Sequence, residues 1–223
     1  MPTSDVFNIP AIVVTVASFH PKSILDVGCG FGKYGVLLRE YTDVAAGRCD
    51  RKSWQTRIVG IEGFENYRNP VWEAYDEVRI GEASNLLLQL GTFDIVLIAD
   101  VIEHFEKPAA TALVELALAA SPVVVVSTPR DFYAQGAEFG NEYERHRCLW
   151  TAADTPPGFF CHTIPLLACN LFVISRAPVS PRQLYPTDWT DLVYLRSRWK
   201  LRRLGWLGWP LSAAARLVNR VTG

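Results

Sequence analysis

Along the first 130 residues, short apolar runs alternate with longer stretches of mixed polarity. Residues 24–27, 57–62, 93–99 and 123–127 are such runs, and 77–80 is a shorter, more polar one. A strand with one face in water alternates apolar and polar residues. A run apolar almost throughout fits a parallel strand covered on both faces. Between the runs, residues 7–19, 34–41, 70–75, 83–90 and 108–119 read as helices, the last rich in Ala, Leu and Glu. This alternation predicts a doubly wound, Rossmann-like α/β fold. After Pro129 the pattern changes. Residues 131–150 are polar and aromatic without a period, and 159–163 and 170–175 read as two more strands around Pro165. The prediction is a seven-stranded sheet, mostly parallel, closed by a C-terminal antiparallel hairpin.

The region after residue 178 differs. Trp199, Trp206 and Trp209 are interleaved with Arg and Lys, and Leu211, Ala214, Ala215, Leu217, Val218 and Val221 fall at i, i+3, i+4 spacing. This divides the chain into a body, 1–178, and a basic, Trp/Arg-rich helical extension, 179–223. From residue 188 onward the charge balance is +5 against −6 for the rest, so the net charge of −1 hides a basic tail on an acidic body. Such a tail fits a solvated helix, a docking element, or a peripheral contact with a membrane headgroup layer. The body carries no charge signal for nucleic acid. No apolar run is long enough to cross a bilayer, and no leader is recognisable. The five cysteines are odd in number and form no C-x-x-C pair, which points to a reducing, cytoplasmic setting. His146, Cys148, Cys161 and His162 have no ligand spacing, so no metal site is predicted. The oligomeric state is not readable.

The chemistry starts where the first strand ends. Gly28, Gly30 and Gly32 follow it directly, and a helical run begins soon after. Backbone without Cβ can turn sharply and lie against a ligand, and the opening N–H groups of the helix face the same space. That pattern predicts a nucleotide-like ligand. The string from Gly30 to Gly35 matches G-x-G-x-x-G, but in the wrong register. A dinucleotide turn puts its first glycine at the strand end, which here is Gly28, and its third then falls on Lys33.

The stretch from Leu25 to Gly32, Leu-Asp-Val-Gly-Cys-Gly-Phe-Gly, resembles motif I of the class I S-adenosylmethionine-dependent methyltransferases. Gly60-Ile61-Glu62 is similar to the family's second strand, and the segment from Phe93 to Phe105 to its fourth strand and following turn. Val101-Ile102-Glu103-His104-Phe105 is typical of the small-molecule branch. The resemblance covers roughly residues 20–130 and implies S-adenosylmethionine as cofactor and a small-molecule substrate. It implies that Gly28, Cys29, Gly30 and Gly32 cradle the cofactor, that Glu62, with Gly63, holds the ribose, and that Glu82 and Ala83 lie by the adenine. Asp100 and Val101 close the site. Asp26 is either an acid for the cofactor's amino group or a carboxylate bonding the glycine-turn backbone. A departure is the long loop between Tyr41 and Arg57, which puts Glu62 further along than usual.

Two histidines are candidate bases. His104 follows the fourth strand, at the carboxyl edge where open α/β sheets bind ligands, and an imidazole pKa near 6.5 suits removal of a hydroxyl proton. Its neighbour Glu103 is expected to point elsewhere. His146 lies in the segment after the fifth strand, which overhangs the same edge. That segment also reads as packing, with Thr151 and Asp154 forming a capping box. Arg145 and Arg147 are candidate anion contacts, and Tyr133 is a weaker one. The leading reading is methyl transfer to a small molecule, at oxygen. No Asn/Asp-Pro-Pro-Tyr follows the fourth strand, which argues against amino-group methylation of DNA or of protein glutamine. A non-catalytic binding module of the same fold and an NAD-dependent oxidoreductase are the rival readings.

Overall fold

The computed structural model describes residues 4–180 and 183–184. The chain divides into a compact unit, Met1–Tyr185, and a second segment, Pro186–Gly223. The Trp/Arg-rich part of the extension, expected to be helical, lies outside the described residues. Of residues 179–184, Val179 and Leu184 pack against the core, and the Ser18 hydroxyl donates to the Gln183 carbonyl. No described helix is long and apolar enough to cross a membrane.

Seven strands form one sheet: β1 (Ser23–Val27), β2 (Arg57–Glu62), β3 (Glu77–Ile80), β4 (Ile95–Ala99), β5 (Val123–Pro129), β6 (Phe160–Pro165) and β7 (Cys169–Ser175). Their spatial order is β3-β2-β1-β4-β5-β7-β6. The first five strands are parallel, β7 runs antiparallel to β5, and β6 is antiparallel to β7. β5 runs past residue 127 to Pro129 because β7 supplies antiparallel partners as far as Cys169. Pro129 has no N–H to offer, and the strand stops there.

The helices are α1 (Ile9–Ser18), α2 (Lys33–Thr42), α3 (Ala83–Leu87) and α4 (Lys107–Ala120). α3 stops three residues short of the expected end, and the chain turns on to Gly91 at φ +78°. Residues 70–75, expected as a helix, form a 3-10 turn over Pro70–Ala74, started by the Asn69 side chain accepting from the Val71 N–H.

Strand alternation splits the core in two. Leu25, Val27, Val96 and Ile98 face α3 and α4, whereas Ile24, Ile58, Ile95 and Leu97 face α1 and α2. The long loop before β2 is pinned by a buried charge cluster. Asp43, which ends α2 and is fully buried, accepts from Arg39 Nη1 at 2.6 Å, Arg48 Nε at 2.7 Å and the Gln55 N–H at 2.8 Å. Those donors hold its carboxyl below the ordinary range against the opposing effect of burial. The Arg39 guanidinium lies 4.0 Å over the Trp54 ring.

The strand order reverses between β1 and β4. Successive strands after β1 add on one side, and β4 begins the other. The loops leaving β1 and β4 therefore diverge and open a crevice at the carboxyl edge.

Candidate active site

The turn after β1 is tied down on every side. The N–H groups of Gly28 and Cys29 both donate to the Ile61 carbonyl, at 2.8 and 2.9 Å. Gly30 donates to Glu62 Oε2 at 2.7 Å, and Trp72 Nε1 donates back to the Gly30 carbonyl at 2.8 Å. Gly28 has φ +72° and Gly30 φ +53°, the left-handed region that favours glycine. A Cβ on Gly28 would also stand 2.4 Å from Cγ2 of Val101, so this glycine lets the loops after β1 and β4 approach each other.

Between these loops lies a cavity of about 450 Å³. Gly28, Cys29 and Gly30 form one wall. Glu62 and Gly63, at the end of β2, form the next, and Gly81, Glu82 and Ala83 extend it. Asp100, Val101 and His104 line the cavity as well, with Val101 against Gly28. Burial pushes the Glu62 carboxyl up, opposed by the N–H groups of Phe64 and Gly30 that it accepts. Glu82 accepts from the Tyr143 hydroxyl at 2.5 Å.

Asp100 is a non-glycine residue at φ +55°. It is held there by its N–H donating to the Ser127 carbonyl at 2.8 Å and by the Ser127 hydroxyl donating to Oδ1 at 2.7 Å. Strain of this kind persists only where its surroundings enforce it. It turns the chain sharply after β4 into the 3-10 turn Ile102–His104.

That turn carries Glu103 off the cavity wall but keeps it beside His104. Glu103 is 3% exposed, and its donor atom lies with those of His104 and His146 in a group all within 4.8 Å of one another. A 3-10 turn advances about 120° per residue, so Ile102 enters the core while Glu103 and His104 remain free to meet the downstream loop. That loop folds over them because the N–H groups of Arg147 and Cys148 donate to the Glu103 carbonyl. The His104 and His146 rings lie 5.0 Å apart, and Tyr133 stands edge-on to His146 at 4.5 Å. Burial lowers the pKa of both imidazoles, and the neighbouring His104 lowers that of His146 further. Burial, and then the charge of Asp100, pushes the Glu103 carboxyl well up.

Five candidate residues named from the sequence, Asp26, Gly32, Tyr133, Arg145 and His146, do not line the cavity. Gly32, at φ +89°, caps the start of α2 and faces Trp72 and Val71. His146 lies behind His104. Asp26 is 1% exposed and points to the α1/α2 side, where Oδ2 accepts from the Tyr75 hydroxyl at 2.6 Å. The same Tyr75 oxygen accepts from the Gly35 N–H at 2.9 Å. Asp26 thus bonds the helix backbone through Tyr75 rather than the glycine turn directly. Gly35 is needed there because a Cβ would fall 2.1 Å from the Tyr75 ring.

Sequence reasoning missed the residues that seat the overhanging loop. Tyr67 donates to Glu144 Oε1 at 2.8 Å and accepts from Asn141 Nδ2 at 3.2 Å, and all three line the cavity. Their one sequence signal is polarity in a segment without period, which does not identify partners. Thr151 and Asp154 do form the capping box, and Asp154 also pairs with Lys107 at 2.6 Å.

A glycine turn, an acid ending the second strand, and a cavity at the switch point of a seven-stranded sheet define a nucleoside-binding α/β transferase fold. Residues 25–122 match the family model described as a methyltransferase domain. This region is a methyltransferase domain with the fold of the class I S-adenosylmethionine-dependent methyltransferases, and S-adenosylmethionine is the cofactor it supports. Solved structures share the fold. The N-terminal domain of EvdMO1, crystallised in the presence of SAH and D-fucose, is 18% identical with a TM-score of 0.53, over 79% of this chain and 85% of that one. The methyltransferase domain of bacterial CtHen1 is 18% identical with a TM-score of 0.53, over 75% and 97%. The magnesium protoporphyrin IX methyltransferase of Synechocystis PCC 6803, with bound SAH, is 15% identical with a TM-score of 0.51, over 76% and 81%. No curated protein sequence matches the chain.

The cavity fits the cofactor. Its wall offers backbone without Cβ at Gly28 and Gly30, and a carboxylate at Glu62 that can accept two hydroxyl hydrogen bonds.

Proposed function

We propose that the protein methylates an oxygen of a small-molecule acceptor, with the cofactor held by Gly28, Cys29, Gly30, Glu62, Gly63, Glu82, Ala83, Asp100 and Val101. The observation that carries this reading is His104: it lines the same cavity as Asp100 and the glycine turn. When bound, S-adenosylmethionine supplies an activated methyl, whose carbon–sulfur bond breaks with the electron pair kept by sulfur. The protein then has only to align the acceptor oxygen and take its proton. His104 is the side chain placed to receive that proton in the metal-free protein. His146 is one ring behind it, so the same reading makes it a positioning residue.

Two tests separate this from its rivals. Calorimetric titration should show binding of S-adenosylmethionine and S-adenosylhomocysteine and none of NAD; the reverse result overturns the cofactor reading. A screen with methyl-labelled cofactor against hydroxylated lipids, glycans and quinol-like aromatics should find an acceptor. On that acceptor, His104→Ala should lower turnover by about 10²–10⁴-fold, the usual worth of a general base. Cofactor affinity should stay within a few-fold. Unaltered turnover removes His104 from the reaction.

A further inference from the structure

Glu103 has no part in proton removal or in holding the methyl donor, yet it is the most costly group at the site. Its side chain is 3% exposed and its Oε2 has no hydrogen-bond partner. Oδ2 of Asp100 is also buried without a partner. Thr128 and the Glu103 backbone give this carboxyl only partial compensation, and a carboxylate withdrawn from water with an unpartnered oxygen is unfavourable, the more so with a second one nearby. A bound cation relieves both.

The two histidines are oriented for one. Nδ1 of His104 faces the Arg145 carbonyl at 3.3 Å, and Nδ1 of His146 faces the Tyr133 carbonyl at 3.0 Å. In the tautomer that donates from Nδ1, Nε2 carries the lone pair. Metal-bound histidines are fixed from behind in this way. The donor atoms of Glu103, His104 and His146 all lie within 4.8 Å of one another. Donors about 2.1 Å from one ion in tetrahedral geometry stand about 3.4 Å apart, so a closure of roughly 1.4 Å completes the site.

We propose that Glu103, His104 and His146 bind one divalent transition-metal cation through a carboxylate oxygen and two imidazole nitrogens. This donor set suits Zn²⁺, Mn²⁺, Fe²⁺ or Co²⁺ better than Mg²⁺ or Ca²⁺, which prefer all-oxygen shells. Three protein ligands leave coordination positions open, as in catalytic rather than structural sites. Of the three only His104 lines the cavity, so the side next to His104 is taken as the open one. The inference rests on the O-methylation reading and deepens it: the acceptor is an alcohol or phenol whose oxygen meets the cation. Coordination lowers the hydroxyl pKa, and the proton leaves to solvent water. The oxyanion forms the new O–CH₃ bond as the carbon–sulfur bond breaks, and sulfur keeps the electron pair. In the loaded enzyme the histidines are ligands and take no proton.

The test is Co²⁺ titration into the chelator-treated full-length protein, followed by calorimetry and visible absorption. One ion per chain should bind. Glu103→Gln and His146→Ala should each weaken binding about 10-fold or more, a loss that even outer-shell partners of a metal produce. Should Glu103→Gln fail to fold by circular dichroism, His146→Ala decides. Absence of Co²⁺ binding at millimolar concentration overturns the proposal, as does affinity unchanged in His146→Ala. An intense near-ultraviolet thiolate-to-metal band also overturns it, because the proposed shell contains no cysteine. S-adenosylmethionine affinity is measured on the same samples. Cofactor binding without Co²⁺ binding sinks this inference alone, whereas loss of cofactor binding in the untreated protein sinks the methyl-transfer reading. With an acceptor in hand, chelation should slow transfer by about 10-fold or more, to the rate His104 supports alone, and Mn²⁺ or Zn²⁺ should restore it; full activity after chelation removes the cation from the reaction.

Discussion

Replacing Asp26 by Asn should change how stability depends on pH. Asp26 is fully enclosed beneath the glycine turn. Burial raises its pKa from 3.8 to about 7, opposed by the Tyr75 hydroxyl it accepts and reinforced by the charge of Glu62, with Lys33 acting the other way. The unfolded chain releases this proton near pH 4, whereas the folded chain keeps it to about pH 7. The folded state therefore holds more protons across that window, and its stability falls as pH rises. The whole effect is full below about pH 4, is lost by about pH 7, and amounts to about 4 kcal/mol at about 1.4 kcal/mol per pH unit. Between pH 5 and pH 8.5 the loss is about 3 kcal/mol. Asparagine cannot ionise, and its carbonyl oxygen can still accept from Tyr75. Urea unfolding of both proteins at pH 5 and pH 8.5, extrapolated linearly, gives the difference directly, and the other titrating groups largely cancel. The variant should gain roughly 2–3 kcal/mol on the native protein between the two conditions, with relaxation around Asp26 taking part of the maximum. A difference that is the same at both pH values refutes the reasoning and leaves Asp26 ionised in the folded state.

Gly30→Val should weaken S-adenosylmethionine binding by more than about 10-fold, since a β-branched residue at φ +53° costs on the order of 1–3 kcal/mol and displaces the turn. Unchanged affinity, measured by calorimetry, contradicts placing the cofactor on this turn. Asp43→Ala should destabilise the protein by about 3–5 kcal/mol in urea unfolding, because Arg39, 3% exposed, loses a buried counter-charge. A loss below about 1 kcal/mol would show that Asp76, 2.9 Å from Arg39, suffices. Tyr67→Phe leaves Glu144 and Asn141 short of a partner, so it should cost about 1–3 kcal/mol and speed amide exchange across residues 141–147. Exchange at the native rate would mean that the loop is seated by other contacts.

The strands and most helices were legible because each rests on local physics. β1, β2, β4 and β5 are apolar runs whose period and length leave few alternatives, and α4 is built of strong helix formers. The glycine turn was legible for the same reason, since Gly28 and Gly30 sit where only glycine takes left-handed backbone easily. From these local signals the sequence alone determined the α/β class and the switch-point edge; the identity of the cofactor came from the resemblance carried by residues 25–32 and 93–105. It did not determine which side chains meet across the crevice, because contacts between distant segments leave no period. Gly35 and Tyr75, Asp26 and Tyr75, and Tyr67 and Glu144 are pairs of this kind, each made by folding alone. The turn from Asp100 to His104 shows the divide most clearly. Its position after β4 was readable, but its 3-10 geometry and the closure of residues 146–148 over it were not. Those two features, set by hydrogen bonds to the Glu103 carbonyl, swing Glu103 in beside His104 and His146. Tertiary packing thus turned a Glu-His dipeptide and a remote histidine into one three-donor cluster, with Glu103 buried and the histidines only partly so.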